Sequence, residues 1–211
     1  MSDIDCDGLR LSRETEAILL DFLAEKEINE KQEKEYPQNF NFAENWQLSQ
    51  FWYSDETIKH ISALIGKAAR KKDNVALLSC PSLYISCKAV HHNTIIFEFD
   101  DRFKIWEKDF VKYDFNNAYD ENYLDEFRHN FDIVIADPPF LSKECFEKFA
   151  FITKKIVKPN GKILFCSGEV VEEYVAKFLD LKKCSYKPKH TRNLGNDFTT
   201  YSNFNSDQFF E

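Results

Sequence analysis

The sequence predicts an α/β fold: a mostly parallel sheet with helices on both faces, ending in an antiparallel pair. Three observations predict it. Short apolar runs rich in β-branched residues alternate with stretches of helical spacing. The last of these, residues 184–186 and 198–204, alternate as an antiparallel pair would. With 211 residues, 43% of them apolar, the chain is long enough to bury one sizeable core.

The elements follow in order. Leu11, Ile18, Leu19, Phe22, Leu23 and Ile28 recur at three- and four-residue steps, which predicts a helix over residues 11–34 with Ser12 as its cap. Residues 36–45, with Pro37, read as a linker, so residues 1–45 form an N-terminal helix and linker and 46–211 the main domain. Ser54 or Asp55 caps a helix over 56–71, with Ile58, Ile61, Leu64, Ile65 and Ala68 on one side. Residues 75–79, 94–99, 131–136 and 162–166 are short apolar runs and predict buried strands; residues 110–113 are a weaker strand. Helical spacing returns over 142–157 and 169–181, and Pro159-Asn160-Gly161 marks a turn.

Composition excludes several function classes. No apolar run approaches the ~18 residues of a membrane span, so no membrane partner is expected. The acidic start, MSDIDCDGLRLS, is unlike a secretion signal. The five glycines are scattered, which excludes both the G-x-G-x-x-G loop and the Walker A loop. The net charge of −8 is −6 in residues 1–35, −5 in 36–140, +6 in 141–192 and −3 in 193–211, a poor match to a phosphate backbone. The six cysteines form no C-x-x-C pair, and Cys145 and Cys166 lie in apolar-periodic contexts as buried thiols. A reducing, cytoplasmic setting is expected, and no metal, since adjacent His91 and His92 point apart without a third ligand.

One string carries chemistry. The apolar strand Phe131–Ala136 runs straight into Asp137-Pro138-Pro139-Phe140. Ligands of open α/β sheets bind beyond the carboxyl ends of strands, and two prolines stiffen the loop there. A stiff loop holds Asp137 and a proline carbonyl as fixed acceptors beneath an aromatic ring, which suits an amine as guest. The bland alternative is an ordinary Asp-Pro turn followed by a stiff loop.

D-P-P-F after an apolar strand resembles motif IV of the amino-methyltransferases. Further blocks extend the likeness: Asn45–Tyr53, Leu78–Tyr84, Phe97–Phe103, Phe110–Asn117, Asp137–Cys145 and His190–Phe198. From about Leu11 onward the chain is similar to the elongation factor 1-alpha lysine methyltransferase 1 family, once labelled adenine-specific DNA methyltransferases. Phe140 stands where many relatives have Tyr, so no hydroxyl acts there.

The resemblance implies a class I methyltransferase-like (Rossmann-like) fold and S-adenosyl-L-methionine as cofactor. It also implies site residues. Asp137, Pro138, Pro139 and Phe140 would be catalytic, and Asp137 would also contact the cofactor. Ser79, Cys80, Pro81 and Ser82 would form the loop under the methionine part, in place of glycines. Glu98 or Asp100, two residues apart on one strand face, would accept the ribose hydroxyls, and Glu98 is preferred. Asp114 would accept from the adenine amine, with Phe115 against the ring. Trp46, Gln50, Trp52 and Tyr53 would either line the pocket or staple the N-terminal helices to the sheet. Arg192 and Asn193 would face the substrate mouth or fix the last hairpin.

Three functions compete. A lysine methyltransferase acting on elongation factor 1-alpha suits the family and an acidic surface. A nucleic-acid amino-methyltransferase would flip its base into the same pocket, but the charge disfavours it. A non-enzymatic module would not need an intact D-P-P-F.

Overall fold

The computed structural model describes residues 42–192 and 194–210. Contacts divide the chain into two units, Met1–Ala43 and Glu44–Glu211, and every element described belongs to the second. The helix expected over 11–34 lies outside the described residues.

Seven strands form one sheet: β1 (Val75–Leu78), β2 (Thr94–Glu98), β3 (Phe110–Lys112), β4 (Phe131–Ala136), β5 (Val157–Gly168), β6 (Lys182–Lys183) and β7 (Phe198–Ser202). Their order is β3-β2-β1-β4-β5-β7-β6. β1 to β5 run parallel, and β7 enters antiparallel between β5 and β6. The helices are α1 (Asp55–Ala68), α2 (Tyr84–Val90), α3 (Lys143–Ile156) and α4 (Glu172–Leu179). This is the class I methyltransferase arrangement expected from the sequence.

All four residues of β1 are buried, so both faces of the sheet are covered. Ala76 and Leu78 share one apolar cluster with Val134 and Ala136 of β4 and with Phe146, Phe149, Ile152 and Ile156 of α3. Val75 and Leu77 alternate to the other face and are equally buried. Each long helix has a built start. The Ser54 hydroxyl accepts the Thr57 N–H at α1, and the Ser142 hydroxyl accepts the Cys145 N–H at α3. Asp55 and Glu56 in the first turn of α1 suit its positive end.

The structure departs from expectation where local pattern is weak. α2 spans seven residues, too few for a helical period to show. The helix expected over 169–181 is a 3-10 turn, Glu169–Val171, followed by α4, which stops at Asp180 in the left-handed region (φ 53°). β5 begins at Val157, ahead of Pro159-Asn160-Gly161: Phe131 pairs with Val157 and Ile133 with Lys162, so the intervening residues bulge out of register. The final pair is β6 with β7, and Cys184 extends it by donating its N–H to the Thr200 carbonyl. Cys145 and Cys166 are buried, as read from the sequence. His91 is buried and its Nε2 lies 2.7 Å from the Asp73 carbonyl oxygen, a structural bond. Among the described residues no helix is long and apolar enough to cross a membrane.

Candidate active site

Register builds the site. Leu78 pairs with both Phe97 and Ala136, so β1, β2 and β4 end nearly level. Ser79, Glu98 and Asp137 therefore stand close together at these strand ends. Here the strand order reverses between β1 and β4, the place where open sheets bind ligands. The backbone stitches these ends together: Ser79 N–H donates to the Phe97 carbonyl (2.9 Å) and Asp137 N–H to the Leu78 carbonyl (3.0 Å). Above them opens a cavity of about 550 Å³, within the range of small-molecule sites.

The first wall is Ser79-Cys80-Pro81-Ser82. Ser79 sits at φ 56°, in the left-handed region that glycine prefers, so a serine makes the turn a glycine would make without strain. Cys80 is buried, its Sγ 3.6 Å from the Ile135 carbonyl oxygen. Burial pushes its thiol far up, so it stays protonated.

The second wall holds Glu98 at the last position of β2. Its Oε1 accepts from Phe99 N–H (2.9 Å), Asp100 N–H (3.1 Å) and Gln50 Nε2 (3.4 Å). Burial raises its carboxyl to about 7 against the pull of these bonds. Beyond it, Asp114 accepts the Asn116 N–H while its own N–H donates to the Tyr123 hydroxyl. Phe115 stands edge-on to Phe140, ring centroids 6.1 Å apart.

The third wall is the D-P-P-F loop. Part of the Asp137 surface opens to the cavity, yet protein surrounds its carboxyl. Burial pushes Asp137 up to about 7; the Tyr53 hydrogen bond opposes this, and the Glu98 charge adds to it. Pro138 is buried, and Phe140 is exposed at the cavity rim. Leu141 packs on Gly168 at the end of β5, where a Cβ would lie 3.0 Å from Leu141 Cδ1.

A roof closes over these walls from two distant segments. The Glu44 Oε1 accepts the Trp52 N–H (3.0 Å) and the Thr191 hydroxyl (3.1 Å). Thr191 N–H donates to the Trp52 carbonyl, and Tyr53 bridges His190 in antiparallel fashion. Tyr53 also donates its hydroxyl to Asp137 Oδ2 at 2.6 Å. Gln47 to Trp52 on one side, and His190, Leu194 to Asn196 and Phe198 on the other, complete the lining.

The family model described as "Probable N6-adenine methyltransferase" matches residues 44–206. The chain is 42% identical to Protein-lysine N-methyltransferase CG9154 of Drosophila melanogaster, over 97% of this chain and 98% of that one. It is 39% identical to EEF1A lysine methyltransferase 1 of Homo sapiens, over 98% of this chain and 97% of that one. The chain belongs to the EEF1A lysine methyltransferase 1 family. The fold also matches the candidate RNA methyltransferase PH1948 of Pyrococcus horikoshii, with a TM-score of 0.50 and 16% identity over 76% of this chain and 88% of that one.

In this member of the EEF1A lysine methyltransferase 1 family, most residues singled out in the sequence meet at one cavity. Ser79 to Ser82, Glu98, Asp114, Phe115, Asp137 to Phe140, Gln50 and Trp52 all line it. Tyr53 stands behind Asp137, and Asn193 lies outside the described residues. Asp100 does not share a strand face with Glu98, because β2 stops at Glu98. Asp100 instead caps a 3-10 segment and pairs with Arg102 (2.7 Å). Burial works against its charge, but the Arg102 bonds hold its carboxyl below the ordinary range. Trp46 is exposed, lying under the Arg192 guanidinium (5.6 Å), while Arg192 pairs with Glu44 at 3.0 Å and lines a neighbouring hollow of about 370 Å³. His190, Phe99 and Phe198 were not singled out as site residues; their only sequence signal was membership of the blocks Phe97–Phe103 and His190–Phe198.

Proposed function

We propose that this chain transfers a methyl group from S-adenosyl-L-methionine to the side-chain amine of a lysine in elongation factor 1-alpha, in the cytoplasm. The observation that carries the reading is the meeting of D-P-P-F, Glu98 and Ser79-Cys80-Pro81-Ser82 in one cavity, in a chain whose relatives include EEF1A lysine methyltransferase 1 of Homo sapiens.

The residues fit the cofactor. The left-handed turn at Ser79 would let the backbone approach the methionine part. The Glu98 bonds all fall on Oε1, which leaves Oε2 for the ribose hydroxyls. Asp114 and Phe115, which line the same cavity, would take the adenine. Tyr113 lines the same cavity, and among the described residues its buried hydroxyl has no hydrogen-bond partner. Asp100 is committed to Arg102 and has no part in the proposed site. When bound, the cofactor supplies an electrophilic methyl group on a positively charged sulfur.

Asp137 and a proline carbonyl of the stiff loop accept the N–H groups of the incoming amine and aim its lone pair, so positioning supplies much of the acceleration. Lysine enters as an ammonium of reference pKa about 10.4 and must shed a proton. Phe140 and Phe115 desolvate it, which favours the neutral amine. Trp46 and Arg192, outside the cavity beside the roof, are proposed to meet the protein substrate.

The matching family model's description favours a second reading, an adenine exocyclic amine in the same pocket. Purified protein, labelled cofactor, elongation factor 1-alpha and DNA or RNA oligonucleotides separate the two. Label is expected on the protein alone; oligonucleotide labelling abolished by Asp137→Ala would sink the lysine reading.

A further inference from the structure

Among the described residues, Tyr53 is the one of the roof that reaches the D-P-P-F carboxylate directly. Its ring is 2% exposed and lies on the His190 ring, centroids 5.0 Å apart and 30° between planes. His190 is backed in turn by Phe198, centroids 4.6 Å apart. The 2.6 Å bond from Tyr53 Oη to Asp137 Oδ2 is in the short, charge-assisted range. Burial, and then the Asp137 charge, push the phenol far up, so Tyr53 remains a donor. Burial lowers His190 to about 4, so the ring behind Tyr53 is neutral.

We propose that Tyr53 is a positioning residue for methyl transfer: its hydroxyl pins Asp137 Oδ2 and leaves Oδ1 as the single carboxylate acceptor for the substrate amine. The proposal rests on the lysine reading above. A carboxylate without a fixed partner turns about its last torsion and offers either oxygen. Among the described residues, Tyr53 supplies the hydrogen bond to this side chain. Of the other titratable groups around it, Glu98 from β2 opposes its charge, while Cys80 from the loop after β1 and Cys166 from β5 are thiols that burial keeps protonated and neutral. The Glu44 charge acts on His190, the ring behind Tyr53. The Tyr53 hydroxyl thus selects both the orientation and the ionised form of Asp137. A tyrosine merely filling space would do neither.

Tyr53→Phe keeps the stacked ring and tests this directly. The Asp137 carboxyl can be titrated by carbon-13 NMR in labelled, cofactor-free protein, with its signal assigned by its loss in Asp137→Asn. Its midpoint is expected to rise by about one unit in Tyr53→Phe, because a bond favouring the charged form is gone. Replacing Tyr53 by 3-fluorotyrosine, a stronger donor that preserves the fold, is expected to lower it. With elongation factor 1-alpha as substrate, the acidic limb of the kcat profile moves up by the same unit in Tyr53→Phe, about a tenfold loss below the midpoint, with the cofactor KM unchanged. An unmoved NMR midpoint in both variants overturns the proposal, as does a loss of rate uniform in pH. If the midpoints move but the wild-type protein leaves elongation factor 1-alpha unlabelled, the lysine reading fails and the Tyr53–Asp137 link stands.

Discussion

The floor and the roof of the cavity are built by different physics. The floor is strand ends over an apolar core: Leu78, Phe97 and Ala136 are fully buried, and Phe131, Phe146, Phe149 and Phe165 fill the space around them. The roof is held by polar bonds between segments far apart in sequence, Glu44 to Thr191, Thr57 to Lys189, and Tyr53 to Asp137. Apolar burial is non-directional and additive, so the floor tolerates the loss of one hydrogen bond. The roof depends on each bond having its partner, since an orphaned buried polar group costs about 1–3 kcal/mol. Stability resides in one and the geometry of catalysis in the other.

Five substitutions break or sharpen that contrast. Phe146→Ala has the largest expected effect on the fold, about 3–5 kcal/mol in denaturant unfolding, with the cofactor affinity of the remaining folded protein unchanged. Asp137→Asn reverses the pattern: methylation falls by about 10²–10⁴-fold, while the melting temperature at pH 8 holds or rises. The sign follows from its raised carboxyl, at about 7, and that of Glu98 beside it. The folded protein holds protons there that the unfolded chain has released, so these groups withdraw stability as pH climbs from about 4 through about 7. Removing one charge relieves that cost. Cofactor affinity is likewise expected to strengthen from pH 6 to pH 8 as Glu98 ionises, and Glu98→Ala to weaken it more than Asp100→Ala in calorimetry. Ser79→Gly has the smallest effect, a gain of about 1 kcal/mol in thermal unfolding, because glycine takes φ 56° without strain.

The floor was legible in the sequence; of the roof, Gln50, Trp52 and Tyr53 were singled out but their partners across the roof were not, for the same reason. Strands leave a local mark: β4 was read from Phe131–Ala136 to the residue, because an apolar run bounded by Pro-Pro has one interpretation. The D-P-P-F loop inherited its place from that strand. Roof contacts leave no local mark. Nothing in the pattern around Glu44 announces a partner at Thr191, 147 positions away. The scarcity of glycine excludes the glycine fingerprints but not this loop, since Ser79 adopts the glycine conformation that its side chain disfavours. Glu98 and Asp100 were placed on one face by strand alternation, which lapses once β2 ends at Glu98. Only the family blocks pointed at His190, and they gave it no role.

The topology also sets a timetable for synthesis. Ser79, Glu98 and Asp137 leave the ribosome long before Lys189 to Phe198 follow, and β6 bonds to the sheet only through the later β7. A growing chain therefore carries the floor and one half of the roof before the other half has been made. The bridge partner of Tyr53, His190, is thus made 53 positions after Asp137, the residue that Tyr53 holds.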